Sequence, residues 1–131
     1  VEWEETSRYV FGIFASRADQ LLEELSRDGS VRAQVEARLM AILHEGDISM
    51  DRMAADLGMS RQTLYRRLKE EGATFGGVHD ALRQRMACDY LSARKVSVNQ
   101  TAYLVGFSEP SSFVRAFRRW TGRTPSDFRA A

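Results

Sequence analysis

Apolar positions recur at three- and four-residue intervals from one end of the chain to the other, with almost no sustained two-residue alternation. That rhythm predicts helices and no sheet. The first run, from Glu4 to Leu25, spreads Val10, Phe11, Ile13, Phe14, Ala18, Leu21, Leu22 and Leu25 over a broad apolar face, and Asp28-Gly29-Ser30 ends it. A second helix, Val31 to His44, carries Val31, Val35, Leu39, Ile42 and Leu43 and stops at Gly46. Shorter elements follow. Ser49 is placed to cap Met50 to Leu57, Gly58 breaks the chain, and Ser60 caps a helix to about Lys69 that Gly72 closes. A longer helix from Thr74 to about Ala93 sets Val78, Leu82, Met86 and Tyr90 four apart on one face, as a spacer would. Ser97 caps Val98 to Val105, and Gly106 breaks the chain again. Ser108 is expected to cap Glu109 to about Thr121 with Pro110 in the first turn, and Pro125 opens a last short helix.

The sequence of helix, glycine turn and helix therefore occurs twice. Ala54, Leu57, Gly58, Met59 and Ser60 recur forty-eight residues later as Ala102, Val105, Gly106, Phe107 and Ser108. Glycine permits the backbone turn by which the second helix crosses the first, and the apolar residue after it plugs the corner. One extra residue then separates the copies, so Leu64, Arg66, Leu68 and Lys69 match Phe113, Arg115, Phe117 and Arg118 at a spacing of forty-nine.

At about 100° per residue, Leu64 and Leu68 share an inner face, while Gln62, Arg66 and Lys69 point the other way and Tyr65 lies at the margin. In the second copy Phe113, Phe117 and Trp120 face inward, and Ser111, Arg115 and Arg118 take the outward angles. Gln and Arg pair bidentately with adenine or guanine edges, and flanking Lys and Arg neutralise phosphate. A single outward Arg is ordinarily a solvated surface residue. Two basic faces at equivalent angles, each behind a glycine turn, point instead to duplex DNA.

The charge distribution agrees with that reading. The 131 residues are 44% hydrophobic and 28% charged, enough for one domain or two small ones, with a net charge of only +1. Residues 1–30 nevertheless hold seven acids against three bases, and residues 31–131 eleven acids against sixteen bases, an acidic head on a basic body. One cysteine, Cys88, rules out an internal disulfide framework and a multi-cysteine zinc site, and reads as a small hydrophobe on the spacer helix. His44 and His79 lack ligand-like spacing, so no metal or other cofactor is expected. No apolar stretch is long enough for a membrane span and VEWEETSR lacks signal-peptide character, which predicts a cytoplasmic, nucleoid-associated protein; the Asn99-Gln100-Thr101 glycosylation pattern is then accidental. The chain starts at Val1, as a fragment or a processed product would.

MAADLGMSRQTLYRRLKEEG at 53–72 and, more specifically, GFSEPSSFVRAFRRWTGRTPSDFR at 106–129 resemble the DNA-binding domain of AraC/XylS-type transcriptional regulators. The resemblance covers roughly residues 32–129. It implies an all-α fold of two homeodomain-like, three-helix helix-turn-helix subdomains (about 49–70 and 97–121) joined by a long linker helix (about 74–93), with two recognition helices in successive major grooves. Carried over position by position, it places base reading at Gln62, Tyr65 and Arg66 in the first recognition helix and at Pro110, Ser111, Ser112 and Arg115 in the second. Pro110 offers apolar contact only. The family's phosphate contacts fall on Ser60, Arg61 and Ser108, with Arg118 and Arg119 as weaker candidates; Lys69 joins them from its outward angle.

Two positions depart from expectation. Thr101 stands where the family carries a branched apolar residue, and its hydroxyl needs a partner if buried. Glu109 favours the helix dipole but repels phosphate, so it is expected to face a cytosine amino group or solvent, with solvent favoured.

The head, 1–30, is read as the last helix of a preceding sensing or dimerising domain, or as a linker, ahead of a DNA-binding unit at 31–131. Its Trp3, Val10, Phe11 and Phe14 are then exposed or paired with a second copy, or else the helix folds back on the core. The expected partners are promoter or operator DNA, RNA polymerase, a homodimer through the apolar head, and an effector bound only by a domain outside this chain. No catalytic constellation is present in the sequence, so no enzyme is expected. The rival readings are a non-specific architectural DNA binder and a protein-interaction module using the apolar head.

Overall fold

A computed structural model describes the backbone of residues 2–130 and the side chains of 6–23 and 29–130. The described residues form helices and no strand: α1 (Glu2–Asp28), α2 (Val31–Ile42), a 3-10 turn (Leu43–Glu45), α3 (Met50–Asp56), α4 (Arg61–Glu70), α5 (Phe75–Ala93), α6 (Val98–Leu104), α7 (Pro110–Thr121) and α8 (Pro125–Ala130). The second helix is shorter than its apolar pattern, because its last turn tightens at Leu43 before Gly46 takes φ 82°.

The caps explain most of the boundaries. Side-chain oxygens of Ser30, Ser49, Ser60, Thr74 and Ser97 each accept the backbone N–H three residues on, and Ser97 and Gln100 form a reciprocal capping box. The expected cap at Ser108 is a misassignment: α7 begins at Pro110 with Glu109 as its N-cap, and no side chain caps it. Proline fixes the first helical residue and needs no N–H acceptor there, so the cap position falls on the residue before it. The extra residue of the second copy thus lies ahead of the helix, and Glu109, not Ser108, is the counterpart of Ser60.

The two turns share their backbone bonding. Met59 N–H donates to Ala54 O at 3.0 Å and Phe107 N–H to Ala102 O at 2.9 Å, with Gly58 at φ 71° and Gly106 at φ 96°. Each unit is completed by a longer helix, α2 for α3–α4 and α5 for α6–α7. Val35, Leu39, Met53, Leu64 and Leu68 of the first unit and Leu91, Val105, Phe113 and Phe117 of the second belong to one apolar cluster, through which α5 runs with Val78, Leu82, Met86 and Tyr90. Fully burying a residue such as Phe113 or Leu64 stabilises the fold by about 1.5–3 kcal/mol. Thr101, buried in the same cluster region, donates its hydroxyl to Ser97 O at 2.9 Å, so the polar group has its partner.

The head folds back. Leu21 is 2% exposed, Val10, Ile13 and Phe14 pack on the core, and Arg17 pairs with Asp89 of α5 at 2.6 Å. Exposure of Val10 and Phe14 is therefore not found; Phe11 stands out at 71% and Leu22 at 58%, while the side chain of Trp3 lies outside the described residues. At the other end α8 closes the second unit: Phe128 meets Phe117 edge-on at 5.5 Å, and Arg129 donates from Nε to Leu91 O at 3.1 Å and from a terminal nitrogen to Val96 O.

Candidate nucleic-acid interface

The inner faces of α4 and α7 are locked by burial, which fixes where the outer faces point. Leu64, Leu68, Phe113 and Phe117 are all 0% exposed. Opposite them Gln62, Tyr65, Arg66 and Lys69 of α4, and Ser111, Arg115, Arg118 and Arg119 of α7, are exposed. Ser60, Arg61 and Ser108 are exposed at the helix entrances, and Pro110 and Ser112 are half-buried. The structure therefore groups the sequence-derived residues into two surface sets, one per recognition-type helix.

The outward arginines are only loosely held. Arg66 Nε lies 3.7 Å from Glu70 Oε1 and Arg61 lies 3.8 Å from Asp51, all four side chains being more than 60% exposed. Such surface pairs contribute about 0–1 kcal/mol, so breaking them costs little. Arg115 reaches the hydroxyl of Ser112 at 3.4 Å, and among the described residues no ion pair engages Arg118 or Arg119. Lys69 Nζ is 6.0 Å from the Tyr65 ring centroid. The Tyr65 ring, 53% exposed, does not sink into the core. The Ser60 hydroxyl already accepts from Thr63 N–H at 3.1 Å and donates to Thr63 Oγ1 at 2.9 Å, so its first task is the cap.

Trp120 is half-buried against Phe107 at 6.1 Å, a packing residue as its inward angle predicts. The guanidinium of Arg83, on α5, lies over the Phe107 ring at 4.7 Å and 5.8 Å from the Trp120 ring, and it also pairs with Asp80. Arg83 is absent from the sequence-derived set. The signal for it is a polar pair, His79 and Arg83, four residues apart beside the buried Val78 and Leu82 stripe. His79 is buried and its imidazole is pushed down to about 4, by burial first and then by the Arg83 charge. Burial raises the Cys88 thiol, which leaves it a packing group. Among the described residues no three His, Cys, Asp or Glu side chains assemble as a metal site, and no helix is long and apolar enough to cross a membrane.

A helix-turn-helix domain family matches residues 53–131, α3 to the end of the chain, and the bacterial regulatory protein Fis family matches 32–70. A solved transcriptional regulator from Chromobacterium violaceum, described among AraC-type DNA-binding domain-containing proteins, superposes with a TM-score of 0.59 at 26% identity over 88% of this chain and 94% of that one. The chain belongs to the AraC-type helix-turn-helix family. This AraC-type chain is also 38% identical over 95 residues to the ornithine utilization regulator of Pseudomonas aeruginosa, covering 72% of this chain and 28% of the regulator. It is similar to the DNA-binding domain of the global transcriptional factor AdpA, solved in complex with a target DNA, with a TM-score of 0.66 and 29% identity over 77% of this chain and 91% of that one. The AraC-type chain spans 28–31% of the length of the first curated relatives it matches.

Proposed function

We propose that this chain binds double-stranded DNA in a sequence-specific manner and regulates transcription by occupancy, with α4 and α7 in successive major grooves. One observation carries the reading: two recognition-type helices, each behind a glycine turn, present equivalent polar and basic faces while their opposite faces are fully buried. The likeness to the AdpA DNA-binding domain supports the same ligand class. In this reading Gln62, Tyr65 and Arg66 read one half-site, and Pro110, Ser111, Ser112 and Arg115 read the other. Ser60, Arg61, Lys69, Ser108, Arg118 and Arg119 hold phosphates. Glu109 is exposed at its cap and faces solvent.

The unit at 31–131 is the DNA reader. The head α1, packed on it, connects it to a sensing or dimerising region through which an effector acts, and the exposed Phe11, at an apolar cavity between the head and the core, offers a contact for a second copy. RNA polymerase is recruited or obstructed at the occupied promoter. The protein acts where chromosomal DNA is, in the cytoplasm, and performs no catalysis. The test is fluorescence anisotropy with a selected duplex and its scrambled counterpart at two salt concentrations. The reading predicts at least about a hundredfold preference for the selected duplex; equal affinities with a steep salt slope would mean an architectural binder. Sedimentation of the wild-type chain and Phe11→Ser over a concentration series tests the dimer contact.

A further inference from the structure

Two reading units joined by one helix need a second point of contact if the angle between them is to be fixed. α5 is 19 residues long, a rod of about 28 Å. It enters and leaves through short turns at 71–74 and 94–97. Beyond the shared apolar cluster, the structure brings the two units into direct backbone contact between Gly46, at the end of the 3-10 turn that leads toward α3, and Gly106, the turn glycine of the second unit.

A Cβ on Gly46 would lie 2.2 Å from the carbonyl oxygen of Gly106, and one on Gly106 would lie 2.4 Å from Leu43 O and 2.7 Å from Gly46 Cα. The two backbones touch where only hydrogen fits. Gly58, the counterpart of Gly106 in the first unit, also has positive φ, yet a Cβ there would meet nothing within 4 Å. The turn itself thus explains a glycine at 58, whereas at 106 the approach of the other unit makes a second demand. Beside the contact a cavity of about 300 Å³ is lined by Asp47, His79, Arg83, Phe107, Ser108 and Ser112. Arg83 lines it and reaches from α5 over the Phe107 ring, so the loop before α3, the linker helix and the second turn meet at one junction. Ser108 and Ser112, at the entrance of α7, belong to that junction.

We infer that the Gly46–Gly106 contact, braced by Arg83, is a specificity determinant: it fixes the spacing at which two half-sites can be read together. The inference rests on the proposed reading of DNA by α4 and α7. One turn of duplex is about 34 Å and 10 base pairs, so inserting or deleting one pair moves a half-site by roughly 3.4 Å and turns it by about 36°. A rigid junction cannot follow that change. A Cβ at Gly46 forces the backbones roughly an ångström apart to reach ordinary contact distance, and a tilt of the 12-residue α7 magnifies that opening at its far end.

The experiment measures affinity of the wild-type chain, Gly46→Ala and Arg83→Met for duplexes carrying the selected half-sites at the selected spacing and at one base pair more or less. The wild type should lose at least about tenfold on either change, the size of a base mismatch. Gly46→Ala should bind the selected spacing more weakly yet distinguish the three spacings by less than about threefold, with base preference in each half unchanged. Arg83→Met should move the same way by less. Folded Gly46→Ala, checked by circular dichroism and cooperative melting, with the wild-type spacing profile would overturn the inference. If that variant does not fold, an unchanged profile in Arg83→Met overturns it. A wild-type chain with no two-part preference contradicts the DNA-reading proposal itself.

Discussion

Glu71, just past the end of α4, holds the first turn of α2 through Val31: the Val31 N–H donates to Glu71 Oε2 at 3.0 Å, and the adjacent Arg32 N–H donates to Oε1 at 2.9 Å. A carboxylate at that place satisfies two of the unpaired N–H groups of α2 and opposes the positive end of its dipole. It also ties the exit of the first recognition-type helix to the scaffold helix behind it.

Glu71→Ala should therefore lower the unfolding free energy by about 1 kcal/mol, within the range of a lost N-cap. Urea denaturation at neutral pH checks this. A change below about 0.3 kcal/mol would mean that Ser30, which accepts Ala33 N–H at 3.1 Å, caps α2 sufficiently alone.

Thr101 gives a prediction of the opposite kind. Its hydroxyl donates to Ser97 O, a carbonyl that also accepts Thr101 N–H at 2.9 Å. Removing the hydroxyl leaves no orphaned acceptor, so the isosteric Thr101→Val should stay within about 1 kcal/mol of wild type. Thr101→Ala, which opens space at a fully buried site, should cost more, about 1–2 kcal/mol. Chemical denaturation of both variants decides, and a larger loss in Val than in Ala would refute the account.

His79 should make stability depend on pH. Its folded value, about 4, lies below its ordinary 6.5 because burial and Arg83 disfavour the charged ring, with Asp80 opposing weakly. The unfolded chain then binds the proton first, so the contribution is complete above about pH 6.5 and is lost as pH falls toward 4. Across that window the wild type should lose about 2–3 kcal/mol more than His79→Gln. Parallel pH profiles of the two proteins, from urea titrations, would remove His79 from the account.

Much of this was legible because short-range chemistry decides it. Ser49, Ser60 and Ser97 cap the helices they precede, and Leu64, Leu68, Phe113 and Phe117 are buried where helical angles place them. The outward residues then follow by geometry. The cap of α7 is not legible in the same way, because the extra residue of the second copy sits before Pro110 and repeat alignment alone does not say on which side of the cap it falls. What sequence spacing cannot carry is contact between distant loops. Gly46 reads as a helix stop and Gly106 as a turn, and nothing local says that they touch. Glu71 lies forty residues from the N–H groups it caps, and Arg83 is committed to rings on another helix. The fold-back of α1 is likewise a tertiary choice, made by Leu21, Phe14 and the Arg17–Asp89 pair.

The central claim is that two helices read two half-sites, and selection of duplexes from a random pool, repeated with Arg66→Ala and Arg115→Ala, tests it most directly. The account predicts a two-part motif with half-sites about 10 base pairs apart. Arg66→Ala should erase preference in one half and Arg115→Ala in the other, each losing about 1–3 kcal/mol of discrimination at the contacted base. Enrichment of no motif, or a motif that both variants retain intact, would contradict it.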